Sequence, residues 1–280
     1  MRRIRLEFGG AWIMAAVAAL SACSVADSAP TGTSEGSVVA TVDLALISDP
    51  VGFCPTSGKN VIVGTQGNDT LTGTPGADCI VGLGGNDLIT GEGGDDIIFL
   101  GDGDDTGWGD SSFGPQANDG NDIVIGGPGS DSVRDSTGQN LLIGGPGVDF
   151  ITGGSGADRI FGDDGSDFLF GEAGDDQISG GNGDDIGAGG PGNDYFSGDD
   201  GQDTFNNQSG FLPDDGDDVL VGGPGPDQLI DCVGNNTFNG GDPAPNPAAN
   251  PDAPLPPEDI CRSLPGASLI GCEQLTACEL

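Results

Sequence analysis

The residues able to do chemistry in this chain are aspartates, and they recur on a fixed spacing. "GGSGADRIF", Gly153 to Phe161, is followed at once by "GDDGSDFLF" and "GEAGDDQIS", three nine-residue phrases with glycine at the first and fourth places and aspartate at the sixth. Carboxylates serve as general acids and bases, as nucleophiles, or as ligands for hard cations. The sequence contains no histidine, which removes the HExxH metalloprotease and the Ser-His-Asp hydrolase. A two-acid glycosidase is a poor fit as well, because ion binding accounts for the same carboxylates.

Eighteen copies of the phrase begin at Gly64, Gly73, Gly82, Gly91, Leu100, Ala117, Gly126, Asp135, Gly144, Gly153, Gly162, Gly171, Gly180, Gly189, Gly198, Pro213, Gly222 and Asp231. "PTSGKNVIV" at Pro55 is a degenerate leading copy, and "GDSSFGPQ" and "NQSGFL", the latter with Asn207 before it, are insertions. The sixth place holds Asp69, Asp78, Asp87, Asp96, Asp105, Asp122, Asp131, Asp149, Asp158, Asp167, Asp176, Asp185, Asp194, Asp203, Asp218 and Asp227, with Asn140 and Asn236 in the two remaining copies. The eighth place is Leu, Ile, Val or Phe except at Gly107 and Gly187.

Each place has its own physics. Glycines permit a tight turn over the first six residues and leave carbonyl oxygens uncovered. The last three residues form a short strand whose eighth side chain points opposite to the seventh and ninth. Such a strand cannot stand alone, but stacked copies bury every eighth residue in one continuous core. If two copies make one coil, turns eighteen residues apart lie over each other and the aspartates form two columns. Carboxylates stacked at about 4.8 Å repel one another. Calcium relieves this, because it takes six to eight oxygens from carboxylates and carbonyls and tolerates irregular geometry, whereas magnesium demands a smaller octahedral shell.

The phrases "GGPGVDFIT", "GGSGADRIF" and "GGPGNDYFS" match G-G-x-G-x-D-x-U-x at every specified place, and so resemble the calcium-binding nonapeptide repeat of RTX proteins. The resemblance implies an all-β fold, a parallel β-roll or β-solenoid, with calcium between successive turns on each edge. It also implies that the sixteen sixth-place aspartates are the metal ligands, helped by turn carbonyls. "DSTGQNLLI" and "DCVGNNTFN" lack the paired glycines and carry Asn at the sixth place, so weak or absent sites are expected there. Thirteen same-edge neighbours both carry Asp, nine of them with no insertion between. The chain resembles small secreted calcium-binding proteins made of little besides these repeats, with disulfide-stapled ends added.

Composition agrees. Of 280 residues, 55 are Gly, and 45 Asp or Glu oppose 7 Lys or Arg, a formal charge of -38. Such a polyanion has no basic surface for nucleic acid. High charge with few large apolar residues would leave an unfolded chain unless something offsets the repulsion. Residues 1–22 read as an export signal: Arg2, Arg3 and Arg5 precede the apolar run "AWIMAAVAAL", which is too short to span a bilayer. Leu20, Ser21, Ala22 and Cys23 resemble the bacterial lipobox, which makes Cys23 the lipid-attachment residue and a membrane the partner of that anchor. Without Arg2, Arg3, Arg5 and Glu7 the remainder carries 4 basic and 44 acidic residues, a net of -40.

The other cysteines, Cys54, Cys79, Cys232, Cys261, Cys272 and Cys278, are even in number and suit an oxidising compartment. Cys54 is expected to pair with Cys79, while three pairings stay open for the rest. The expected order is a flexible tether over 23–36, an N-terminal cap over 37–63, the β-roll over 64–239, a proline-rich linker over 240–257, and a Cys-rich segment over 258–280 that folds back on the array. Only about forty mature residues precede the repeats, too few for a catalytic core. The reading is a non-catalytic, exported, lipid-anchored calcium-binding protein of the cell envelope or exterior that folds on binding calcium. The alternative is a calcium-dependent adhesin or envelope module with a protein or glycan partner. Strict alternation would gather Val81, Ile97, Phe99, Ile123, Ile125, Leu141, Ile143, Phe161, Val219 and Val221 on one outward face, which "SVVATVDLALI" or the C-terminal segment is expected to cover. Trp108, Phe113 and Phe211 are further contact points in or beside the insertions.

Overall fold

The computed structural model describes Cys54 and residues 58–111, 119–207, 216–231, 236–241, 260–263, 268–270 and 274–277. The segments read as signal and tether lie outside the described residues, as do residues 242–257 of the linker, whose first two residues belong to the strand Thr237–Gly241, the cap segment "SVVATVDLALI", and Cys23, Cys232, Cys272, Cys278, Phe113 and Phe211. The chain divides into Met1–Pro55 and Thr56–Leu280, and the architecture below is that of the second part. Cys54 and Cys79 are both disulfide-bonded.

Among the described residues every regular element is a strand, and all strands pair in parallel in two eleven-stranded sheets. Consecutive strands alternate between the sheets, so two nonapeptides complete one coil of a parallel β-roll. Arg159, Ile160 and Phe161 lie beside Gln177, Ile178 and Ser179, an offset of eighteen residues. The two insertions lengthen single coils without breaking the ladder: Ile97 pairs with Ile123 and Phe196 with Leu220.

The eighth places make the core. Ile80, Ile89, Ile98, Val124, Val133, Leu142, Ile151, Ile160, Leu169, Ile178, Phe196, Phe205, Leu220, Leu229 and Phe238 form one buried cluster with Leu100. The two exceptions to the apolar rule are compensated by neighbours. A Cβ on Gly107 would fall 2.7 Å from a methyl of Leu100, and a Cβ on Gly187 would fall 2.6 Å from the Phe196 ring. Leu100, which stands where most copies start with glycine, therefore fills the first gap. Phe196, tilted against Phe205 at 4.5 Å between ring centroids, fills the second. Packing density is kept by exchange of volume between places.

The fourth place is glycine in all eighteen copies, and the stack shows why. A Cβ on Gly183 would lie 1.6 Å from the Gly165 carbonyl oxygen, and one on Gly165 would lie 1.5 Å from that of Gly147. Gly183 also has φ +133°, where side chains are rarely tolerated. Gly76 stands at the start of the stack and a Cβ there would meet nothing within 4 Å. Gly183→Ala is therefore expected to destabilise the roll by about 4 kcal/mol or more, and Gly76→Ala by less than about 1 kcal/mol. Urea unfolding reads the difference, and equal midpoints for the two variants would refute this account of the stack.

The insertions interrupt turns, whereas the sequence placed them between copies. Gly109 donates its N–H to the Arg134 carbonyl at 3.0 Å, as Gly91 does to Trp108 at 2.9 Å, so Gly109 occupies a first place. Asn207, bonded to the Ile230 carbonyl at 3.0 Å, does the same at the second insertion. Past the repeats the sheets continue. Ile260–Ser263 pairs with Gln228–Ile230, Ser268–Ile270 with Thr237–Gly241, and Gln274–Ala277 with Ile260–Ser263. At the other end Asn60–Val63 pairs with Asp78, Cys79, Ile80 and Val81. On the apolar outward face Val81, Phe99, Ile125 and Ile143 are buried, Ile97, Ile123, Leu141, Phe161 and Val221 half-buried, and Val219 exposed.

Candidate metal centre

Each sixth-place residue stands at or immediately before the start of a strand, so its side chain sits at an edge of the roll between two coils. One edge carries Asp69, Asp87, Asp105, Asp131, Asp149, Asp167, Asp185, Asp203 and Asp227. The other carries Asp78, Asp96, Asp122, Asn140, Asp158, Asp176, Asp194, Asp218 and Asn236. All of these are buried except Asp69, which is half-buried.

The two carboxylate oxygens have different tasks. Beyond Asp69 and Asp78, which begin the two columns, Oδ1 of each residue accepts the backbone N–H of its counterpart one coil earlier: Asp176 from Asp158 at 2.7 Å, and Asp185 from Asp167 at 2.8 Å. This bond ties the coils together. Oδ2 of Asp87, Asp96, Asp105, Asp122, Asp131, Asp149, Asp158, Asp167, Asp176, Asp185 and Asp203 is buried with no hydrogen-bond partner. A buried anionic oxygen without a donor is costly, and a whole series of them calls for a cation.

The surroundings of Oδ2 supply the rest of a cation's shell. A Cβ on Gly171 would lie 2.2 Å from Asp176 Oδ2 and 2.7 Å from the Gly189 carbonyl oxygen; one on Gly162 would lie 2.3 Å from Asp167 Oδ2 and 2.5 Å from the Gly180 carbonyl. The first-place glycine thus leaves open a small space into which a carboxylate oxygen and a carbonyl of the next coil both point. Glycine at this place is a matter of space, and its repetition along both edges repeats the space. The polar atoms that reach it are hard oxygens, which is a donor set for a hard divalent cation.

Electrostatics says the same. Burial first, and then the neighbouring carboxylates, push Asp96 and Asp185 up to about 8 and Asp149 to about 7 against an ordinary 3.8; burial and Asp176 hold Asp158 at about 8. Asp167, Asp176 and Asp203 are held at about 6, again chiefly by burial. In each the bonded N–H pulls the other way but loses.

Several places depart from the pattern in ways the sequence did not signal. At Asp69 and Asp78, Oδ2 accepts from the N–H and hydroxyl of Thr65 and Thr74. At Asp218, Oδ2 accepts the side-chain amide of Asn207 at 3.0 Å, so an N–H donor stands where elsewhere the oxygen is left open. Asn140 keeps the linking task, accepting Asp122 N–H at 2.9 Å, and gives its amide N–H to the Thr137 carbonyl. Asp110 and Asp135, neither of them a sixth-place residue, converge with Asp122 so that one carboxylate oxygen of each lies within 4.8 Å of the others. Burial, with Asp122 and Asp110 alongside, pushes Asp135 up to about 10.

No curated protein matches the chain. The RTX calcium-binding nonapeptide repeat family matches residues 56–89, 72–107, 116–151, 143–178, 152–187, 179–211 and 214–242, which together span more than half of the chain and take in both aspartate columns. With the coil of two nonapeptides, the paired edges and the open Oδ2 positions in place, the chain belongs to the RTX calcium-binding nonapeptide repeat family.

Proposed function

We propose that this protein is a non-catalytic, exported calcium-binding protein, anchored by lipid at Cys23, whose roll folds as the ions bind. The observation that carries the reading is the series of eleven buried, partnerless Oδ2 atoms. Calcium would supply the positive charge that these oxygens lack. Each site would use the Oδ2 of one sixth-place aspartate together with carbonyl oxygens of its own and the next coil. Asp87, Asp96, Asp131, Asp158, Asp167, Asp176, Asp185 and Asp203 have the complete arrangement of glycine, Oδ2 and facing carbonyl. Asp105, Asp149, Asp194 and Asp227 stand in the same columns and are assigned with them. Asp69 and Asp78 would bind weakly, because threonine already satisfies their oxygens, and Asp218 would hold no ion while Asn207 occupies its place. Export and anchoring rest on Arg2, Arg3, Arg5, the apolar run and the lipobox residues. Catalysis is disfavoured by the lack of histidine and by the structural task of the carboxylates. The burial of Val81, Phe99, Ile125 and Ile143 gives the adhesin reading no added support.

The test is Asp176→Asn, which keeps the Oδ1 bond to Asp158 and replaces the open oxygen with an amide, as Asn140 does naturally. Extracellular modules bind calcium at about 0.1 to 1 mM, so in about 2 mM calcium one site contributes roughly 0.6 to 1.8 kcal/mol. The variant should lose that much in urea unfolding, and the mass of the purified chain should begin at an acylated Cys23. Unchanged stability in calcium would contradict the ligand assignment, and an unacylated terminus the anchor.

A further inference from the structure

We infer that Asp110, Asp122 and Asp135 form a calcium site of a different kind from the repeat sites, built of three carboxylates and tighter than the others. The inference rests on the proposal that the roll binds calcium. It goes beyond it in assigning two ligands that lie outside the sixth place and in ranking the sites.

The three residues are 0%, 1% and 6% exposed. Each commits one oxygen to the protein. Asp122 Oδ1 accepts Asp96 N–H at 2.8 Å, Asp135 Oδ1 accepts Ser136 N–H at 2.7 Å, and Asp110 Oδ2 accepts the Ser136 hydroxyl at 2.6 Å and Thr137 N–H at 3.1 Å. The other oxygens, Asp110 Oδ1, Asp122 Oδ2 and Asp135 Oδ2, are buried without a partner. A Cβ on Gly109 would lie 1.9 Å from Asp135 Oδ2 and 2.6 Å from Asp122 Oδ2. Asp135 therefore puts a carboxylate into the space that in regular copies faces a carbonyl. The copy at Asp135 has lost its paired first- and second-place glycines and its sixth-place acid, yet it supplies the coil before it with a charged ligand. Arg134, the adjacent base, is turned to the rings of Trp108 and Phe150 at 5.4 and 5.2 Å.

The location gives the site a purpose. The first insertion leaves the turn beyond Asp110 and the repeat has resumed by Asp122, so an ion here holds both sides of the interruption and ties them to the next coil through Asp135. Calcium affinity rises with the number of charged ligands and with rigidity. Three carboxylates in place of one should bind about tenfold tighter or more than a repeat site.

Competition of the full chain against a fluorescent calcium chelator reads the affinity classes. One ion per chain in a class about tenfold tighter than the rest is expected. Asp110→Asn should abolish that class and leave the weaker ions. So should Asp135→Gly, which restores the glycine that most copies carry and so keeps the fold. Asp176→Asn should instead remove a weaker ion and spare the tight one. Weaker ions without a tight class in the wild type, or a tight class that survives both variants, would overturn this site while leaving the repeat sites standing. A wild type that binds no calcium would overturn both.

Discussion

Chelation at neutral pH is expected to abolish the strand signal in far-UV circular dichroism, and millimolar calcium to restore it. The two edges carry sixteen sixth-place aspartates in a chain of formal charge -38, and fifteen of them are buried. The core that opposes their repulsion is narrow: one apolar side chain per nonapeptide, with glycine in its place at Gly107 and Gly187. Twelve repeat sites at roughly 0.6 to 1.8 kcal/mol each contribute about 7 to 22 kcal/mol, at least as much as the whole net stability of an ordinary domain. Taking the ions away therefore removes the margin. A spectrum unchanged by chelator would mean that the core and the interstrand bonds suffice alone.

Without calcium, acid should do part of the ions' work. Asp158 and Asp185 are held at about 8 and Asp167 and Asp176 at about 6, where an unfolded carboxyl lies near 3.8. A group whose folded value is raised favours the fold in its protonated form, so its stabilisation is complete below the unfolded value and is lost as pH rises through the folded one. In chelator the roll should thus be more structured at about pH 5 than at about pH 8. In calcium the order should reverse, because protons and ions compete for the same Oδ2 atoms and the apparent affinity falls below about pH 6. Circular dichroism at both pH values, with and without calcium, gives the four readings. The same direction of pH dependence in both solutions would contradict the shared-oxygen account.

The repeating part of this architecture was legible because its causes are local. A six-residue glycine turn followed by a three-residue strand with its middle side chain inward prescribes a roll, and Ile160 over Ile178 follows directly from the eighteen-residue spacing. The aspartates could be assigned to two edges on the same ground. What stayed hidden depends on contacts between coils. That Asp176 divides its oxygens between a linking bond and an open position is a matter of side-chain geometry. Gly109 and Asn207 take first places because they stack under Arg134 and Ile230, which no copy-by-copy alignment records. Asp135 looked like the start of a failed repeat when judged by its own copy, and becomes a ligand candidate only beside Asp110 and Asp122. The exchange of volume between Gly187 and Phe196 likewise crosses from one copy to the next.

Equilibrium dialysis of the purified chain against millimolar calcium, with the bound metal counted per chain by elemental analysis, tests the central claim most directly. Columns of carboxylates that fold around ions predict about nine or more calcium ions per molecule, all released together with the strand signal on chelation. One ion or none, with the strands intact, would contradict it.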